Sequence, residues 1–395
     1  MKNLLFITST NLTTNPRLLK ELQLAIDQGH SAAVIKFNLS NWSQTFEKET
    51  ESLFKSVRFI ELSASRHPSF PWLISLLLEQ ACRLIPNAFL SAKQLSFAVG
   101  RRSYLILRCI KKLNQTFDLV IAHNPQSFYP ALVASKKFNA KLGMDIEDYH
   151  PGETNNKSLS DKVLLLLKYT LPHAYYISYA SPCFYDKINK EISLTTPKQF
   201  VLLNGFPKDE FSFKRIISNK LRLVWYSQNI NFGRGLEPLV EALSYFSDEV
   251  ELHLVGNLNL PFFDKVLHDK KYIHIHIPKS HFILHQFISE FDIGVASEAS
   301  ININNSLAIS NKIITYAQAG LFILATHTIG QDKFLQESEL EYVQVNPDVE
   351  SYKNVISRLI VQKQNIKNSQ LIRFNAGKKY AWEIISTPLT QTFIN

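Results

Sequence analysis

Lys312 stands in the first turn of the helix spelled out by "SNKIITYAQAG", with Ser310 as N-cap, Ile313, Ile314 and Ala317 on one face, and Gly320 as the C-terminal stop. Unpaired backbone N–H groups make that end of a helix positive. A cation there costs about a few tenths of a kcal/mol unless an anion shares the site. A second cation, Arg234, follows a strand in "YSQNINFGRGLEPLVEALSYF", lies between Gly233 and Gly235, and precedes a helix opening near Glu237 and Pro238. Flanking glycines let backbone approach a ligand closely, and a diphosphate would satisfy both cations. Taken singly, the plainer readings are a solvated loop arginine and a lysine paired with a nearby acid.

Carboxylates concentrate once, in "GMDIEDYHPGETNN", where Asp145, Glu147, Asp148 and Glu153 surround His150. Such a group can accept hydrogen bonds from sugar hydroxyls or serve as a base, and its four like charges repel unless a ligand or cation reaches them. The alternative is a solvated turn ahead of the next helix. Near the amino terminus, "TTNPRLLKELQLAIDQGH" offers Asn15 as a cap, Pro16 at the first helical position and Arg17 directly behind. Motifs for a P-loop, a dinucleotide-binding glycine fingerprint, a nucleophile elbow and a zinc-protease helix are all missing. His274 and His276 in "IHIHIP" share one face of a strand with no evident partner cluster, so they read as structural, and no metal site is expected.

The elements that must carry these residues alternate strand and helix from end to end, the pattern of parallel sheets in an α/β protein. One series runs "NLLFITS", "AAVIKF", "VRFIEL", "DLVIAH", "AKLGMD", "YYISYA" and "FVLLN"; a second runs "LRLVWYS", "VELHLVG", "YIHIHI", "DIGVAS", "LFILAT" and "EYVQV". The polar stretch from Pro207 to Lys220 separates them. This predicts two Rossmann-like, doubly wound parallel-sheet domains, 1–208 and 209–375, with an amphipathic segment 376–395 packing back on the first. In such sheets ligands bind beyond the carboxyl ends of the strands, where the loops of Arg17, the acidic cluster, Arg234 and Lys312 all fall.

At 395 residues and 45% apolar content the chain can bury two cores, and 43 Lys and Arg against 34 Asp and Glu give a formal charge of +9, which favours an anionic partner. Cys82, Cys109 and Cys183 form no pairing pattern, as in a reducing compartment. The opening apolar run is too short for a signal-peptide core, and "HPSFPWLISLLLEQ" is too short to span a bilayer. Between Pro71 and Lys112 a helical pair is expected. It carries Arg83, Lys93, Arg101, Arg102, Arg108, Lys111 and Lys112 against Glu79 alone, with Trp72, Phe89 and Phe97 interleaved. That composition suits either a solvated cover of the first sheet or a surface facing an anionic membrane.

Together these stretches resemble the GT-B glycosyltransferases, especially the family 4-like enzymes of bacterial surface polysaccharide synthesis. "NPRLLKELQLAIDQGHSAAVI" looks like their opening strand-helix-strand, "VLLNGF" like the end of their first domain, and "GRGLEPLVEAL" like the phosphate-binding start of the second. "DIGVASEASININNSLAISNKIITYAQAGLFILATHTIGQ" is similar to their donor-site region, and "YAWEI" to the returning helix. The resemblance implies that two domains face each other across a cleft. It implies that Arg234 and Lys312 hold a donor diphosphate, with Gly233, Gly235, Ser310 and Asn311 around it. Glu147, with Asp148, occupies the place where many relatives carry a histidine near the transferred sugar. Many relatives also carry two glutamates separated by seven residues; here those positions hold Leu307 and Thr315, and Glu298 and Asn304 stand as substitutes for part of that set. Asn15, Arg17, His123 and His150 fall on the acceptor side.

The implied activity is transfer of a sugar from a nucleotide-diphosphate donor to a glycan or lipid-linked acceptor, with retention, and without a metal because no D-x-D motif ends a strand. No cofactor and no nucleic acid are expected. The expected location is the cytoplasm, peripheral to the inner face of the cell membrane. Two alternatives stay open: a sugar-nucleotide epimerase of the same fold, and a catalytically silent sugar-binding relative.

Overall fold

All thirteen apolar runs form strands in the computed structural model, which describes residues 1–40, 43–195, 198–214 and 217–394. The chain divides into two units, Met1–Leu202 with Pro388–Asn395, and Leu203–Thr387. The division comes slightly ahead of the expected 208, and the return to the first unit comes at Pro388, later than 376. A hydrogen-bonded seam accounts for both. Trp382 N donates to Phe206 O at 2.9 Å, and the Gln318 amide accepts from Phe206 N and donates to Phe206 O, each at 2.9 Å, so 203–207 and the segment around 380 are tied into the second unit. Within the boundary stretch, residues 215 and 216 lie outside the described ones.

In the first unit, β1 (Asn3–Thr8), β2 (Ser31–Asn38), β3 (Arg58–Ser63), β4 (Leu119–His123), β5 (Lys141–Ile146), β6 (Tyr176–Tyr179) and β7 (Lys198–Val201) form one sheet in the order β3-β2-β1-β4-β5-β6-β7. In the second, β8 (Leu221–Ile230), β9 (Val250–Leu258), β10 (Ile273–His276), β11 (Ile293–Ala296), β12 (Phe322–Thr326) and β13 (Tyr342–Val345) follow the order β10-β9-β8-β11-β12-β13. Every pairing is parallel. Helices cover both faces, so the central strands are buried throughout and read as continuous apolar runs. Core residues on the two faces of the second sheet form separate clusters, one around Trp225, Leu252 and Tyr352, the other around Val224, Tyr316 and Ile323.

Strand order reverses between β1 and β4 in one sheet and between β8 and β11 in the other. Adjacent loops there leave in opposite directions and open a crevice at the carboxyl edge. The loops after β8 and β11 carry Arg234 and Glu298; those after β1 and β4 lead to Arg17 and from His123. The β8–β9 register breaks between Tyr226 and Asn229, near the end of β8 and shortly before the Arg234 loop.

The basic region from Pro71 to Lys112 is three α-helices, Ser69–Leu84, Ala92–Val99 and Arg102–Lys112, not a pair. Pro86 and the turn at Asn87–Phe89 interrupt the first run, and Gly100 ends the second. Cys82, Phe97, Ala98 and Leu107 pack the group together. Among the described residues no helix is long and apolar enough to cross a membrane.

Candidate functional site

Each unit gathers polar side chains at its reversal point. In the first, register places Thr8, His123, Asp145 and Ser178 side by side on β1, β4, β5 and β6. The helix Pro16–Asp27, capped by Asn15 through a 3.0 Å bond from Leu18 N, brings Arg17 and Glu21 over them one turn apart. Arg17 has no exposed surface: its Nε donates to Asp145 Oδ2 at 2.6 Å and its Nη1 to Leu202 O at 2.6 Å. Ser178 Oγ donates to the other Asp145 oxygen at 2.6 Å. His123 is buried between Glu21 Oε2 at 3.3 Å and Asp145 Oδ2 at 3.4 Å. Burial disfavours its charge, but Glu21 and Asp145 outweigh that and push the imidazole up to about 10. Burial raises Asp145 as well, yet the Arg17 and His123 charges win and hold it well below the usual carboxylate range.

The four carboxylates of the acidic stretch are therefore not one mutually repelling cluster. Asp145 turns inward to Arg17, and Glu153 takes His150 Nδ1 at 2.9 Å, leaving Glu147 and Asp148 half-buried at the edge. Burial first, then the Asp145 charge, drives the Glu147 carboxyl up to about 7, with Arg17 opposing. A carboxyl that exchanges its proton near neutrality is suited to general acid–base work. His150 is itself buried; Glu153 and the nearby carboxylates prevail over burial and raise it above its ordinary value. Asn15 and Arg17, expected on the acceptor side, are both enclosed.

In the second unit, Gly233 and Gly235 both have left-handed backbone, φ 71° and 72°, which a side chain would strain. A Cβ on Gly235 would also come within 3.0 Å of Ser297. Trp225 Nε1 donates to Ser297 Oγ, which donates to Arg234 O, each at 3.0 Å, so the loop is anchored by its backbone while the Arg234 side chain is exposed. No ion pair to Arg234 occurs among the described residues.

Lys312 has its anion inside the chain. Its Nζ lies 2.5 Å from Glu298 Oε1, which also accepts from Ser310 Oγ at 2.7 Å, and the ammonium rests over the Trp225 and Tyr226 rings at 5.5 and 6.0 Å. Thr326 Oγ1 fixes Glu298 by accepting from its N–H at 2.8 Å and donating to its carbonyl at 2.7 Å. Ser310 caps Lys312 N as expected, and Gly320 closes the helix with φ 74°. Asn311 is exposed beside them; Asn304 is buried in the short helix Ile303–Leu307. Thr315 is fully buried, its hydroxyl bonded to Asn311 O at 3.0 Å and to Tyr226 OH at 2.8 Å.

Sequence reasoning passed over Glu21, Ser178, Ser297 and Thr326. Only Glu21 left a signal, its i,i+4 spacing from Arg17 on a capped helix. It also found no partner for His274 and His276, yet His253 of β9 lies opposite His274 in register and stacks on both rings.

No known family model matches the chain, and no curated protein matches it. Solved structures do. HepE from Anabaena in complex with UDP superposes with a TM-score of 0.66 at 14% identity, covering 100% of both chains. A glycosyltransferase from Rickettsia africae gives 0.68 at 15%, over 100% of this chain and 99% of that one. A UDP-N-acetylglucosamine 2-epimerase assigned in Listeria monocytogenes gives 0.59 at 12%, over 98% and 94%. With two parallel sheets of seven and six strands in these orders, the chain has the GT-B fold.

Proposed function

We propose that the protein is a glycosyltransferase that moves a sugar from a nucleotide-diphosphate donor to a glycan or lipid-linked acceptor in cell-surface polysaccharide synthesis. The observation that carries the reading is the cation group at the reversal point of the second sheet: Ser297 holds the Arg234 loop, and its neighbour Glu298 holds Lys312. A leaving diphosphate accumulates negative charge as the bond to the anomeric carbon breaks. In this reading Arg234, the N–H groups opening the helix Asn311–Ala319 and Lys312, once it exchanges Glu298 for the phosphate, neutralise that charge. HepE, of the same fold, is seen with UDP. Glu147 supplies the acid–base carboxyl of the first unit, and we assign retention to the transfer on resemblance. Incubation with a panel of nucleotide sugars tests the reading: nucleotide release that depends on an added lipid-linked or glycan acceptor is expected. Epimerised donor without acceptor, or no turnover at all, would overturn it.

In this reading Lys312→Met and Arg234→Met each weaken binding of the matching nucleoside diphosphate about 10–100-fold, through loss of a charge-assisted contact. Their effects on the empty protein differ. Lys312→Met strands Glu298, so its melting temperature falls, whereas Arg234 is exposed without a carboxylate and its loss leaves melting unchanged. Titration calorimetry and thermal melts check both; wild-type affinity in both variants would place the anion site elsewhere.

The acceptor reading draws on the helix Ser69–Leu84, where Phe70, Leu73, Leu77 and Leu84 are 70%, 46%, 60% and 85% exposed, with Phe89 at 77% just beyond. Not all the cations are unengaged: Arg83, though exposed, pairs with Glu79 at 2.6 Å, and the half-buried Arg102 donates to Ser9 O at 2.5 Å. Lys93, Lys111 and Lys112 remain exposed. An anionic bilayer surface suits this mixture of bare apolar side chains and lysines. Co-sedimentation with vesicles containing acidic lipid is expected, weakened several-fold by salt or by Leu77→Ser with Phe89→Ser. Equal binding to neutral vesicles would remove the electrostatic part, and none to either would remove the whole.

A further inference from the structure

Glu251, His253, His274 and His276 project from one face of β9 and β10, the latter an edge strand of the second sheet, away from the loops of Arg234 and Lys312. His253 stands opposite His274 in register, with ring centroids 4.5 Å apart, and Glu251 lies two residues earlier on the same strand. One ligand atom from each of Glu251, His253 and His274 falls within 4.8 Å of the others.

The hydrogen bonding of His253 is lopsided. Its Nδ1 and His276 Nε2 are 3.0 Å apart, whereas its Nε2 is buried without a hydrogen-bond partner, 3.7 Å from Glu251 Oε2. If Nε2 carried the proton, it would aim at a carboxylate too distant to accept it. With the proton on Nδ1, donated to His276, the Nε2 lone pair faces a carboxylate, and two acceptors confront each other 3.7 Å apart. A cation resolves that arrangement. A histidine ligand whose second ring nitrogen donates to a neighbour is also the usual form of a metal-bound imidazole.

We propose that Glu251, His253 and His274 form a binding site for a first-row divalent transition metal, with zinc the best match, in which His276 orients His253. Two imidazoles and a carboxylate are an ordinary zinc donor set that leaves a fourth position for water. With metal–ligand bonds of about 2.0–2.2 Å, donors must draw to roughly 3.5 Å apart, which rotation of the exposed His274 ring supplies. Arg222 Nε lies 4.0 Å from Glu251 Oε2 and opposes a second positive charge, but the guanidinium is held over Phe291 at 4.6 Å and donates to Glu290 O at 2.7 Å, leaving Glu251 free to turn to the ion. Lys279, another cation on this side, sits over Phe287 at 4.8 Å, and Lys367 is paired with Asp292 at 2.8 Å. The ion clips an edge strand to its neighbour, a structural role separate from the sugar chemistry.

Titration of the tag-free full chain with Zn²⁺ by calorimetry, and with Co²⁺ followed by visible absorption, tests the site. One equivalent is expected to bind with Kd of about 1–10 µM, with the intense absorption of four-coordinate cobalt and a rise in melting temperature. His274→Ala, at an exposed position that leaves folding intact, and Glu251→Gln should each weaken binding at least about 10-fold, while His268→Ala, a surface histidine paired with Asp269, leaves it unchanged. Absence of saturable one-to-one binding below about 100 µM, or wild-type binding in His274→Ala, would overturn the proposal.

Discussion

Arg17→Met is expected to destabilise the first unit by about 3 kcal/mol, read as an earlier urea transition, while leaving the second unit's transition in place. The size follows from what the substitution strands. Asp145 is buried and ionised because Arg17 Nε reaches it at 2.6 Å, and its burial keeps bulk solvent from replacing that donor. Breaking such a pair costs about 3–5 kcal/mol in general; the lower end applies because His123 stays 3.4 Å from the same oxygen. Leu202 O also loses its 2.6 Å donor, which loosens the strand-end segment leading out of the unit. Adding Asp145→Asn to Arg17→Met should recover part of the loss, since the uncompensated charge disappears. A change below about 1 kcal/mol would mean that Asp145 does not depend on Arg17.

Glu147→Gln is expected to lower turnover by about 100-fold or more, and Asp148→Asn to lower it in the same direction. The wild-type carboxyl titrates at about 7, so activity that needs it as a base rises as pH passes through neutrality, and the glutamine variant loses that limb. Stability supplies a second readout with a definite sign. The folded state keeps the Glu147 proton up to about 7 while the unfolded chain releases it near the ordinary 4.5, so stability falls as pH rises between those values. Glutamine has no proton to lose. Glu147→Gln should thus match the wild type near pH 4 and exceed it near pH 8, by about 1–2 kcal/mol after allowing for partial exposure. Unchanged turnover with unchanged pH dependence would leave Glu147 with no catalytic part.

The strands were legible because a parallel sheet covered on both faces needs unbroken apolar runs, and few other elements of this length do. Caps were legible for the same local reason: Asn15, Ser310 and Gly320 act within four residues of themselves. What escaped was pairing at a distance. Arg17 looks like a ligand-binding cation until Asp145, 128 residues on, is seen to hold it. Lys312 looks unbalanced until Glu298, 14 residues earlier in the same connection between β11 and β12, is seen to fold back onto it. His253 offers no metal-ligand spacing in the sequence, since its partners come from register between β9 and β10. Charge and spacing show which residue types could act; which of them are already spent on one another is decided by strand order.

The Lys312–Glu298 pair changes what donor binding means in the proposed site. Glu298 is tethered to the same sheet edge, so it competes for the ammonium as an intramolecular anion at an effective concentration of about millimolar or higher. An arriving diphosphate does not fill a vacant charge but exchanges with a carboxylate, and part of its intrinsic affinity goes into that displacement. After transfer the exchange runs backwards: as the nucleotide leaves, Glu298 recaptures Lys312 and lowers the barrier to departure. Glu298→Gln should therefore bind nucleotide more tightly and release it more slowly, and the carboxylate acts as a spring that resets the site between turnovers.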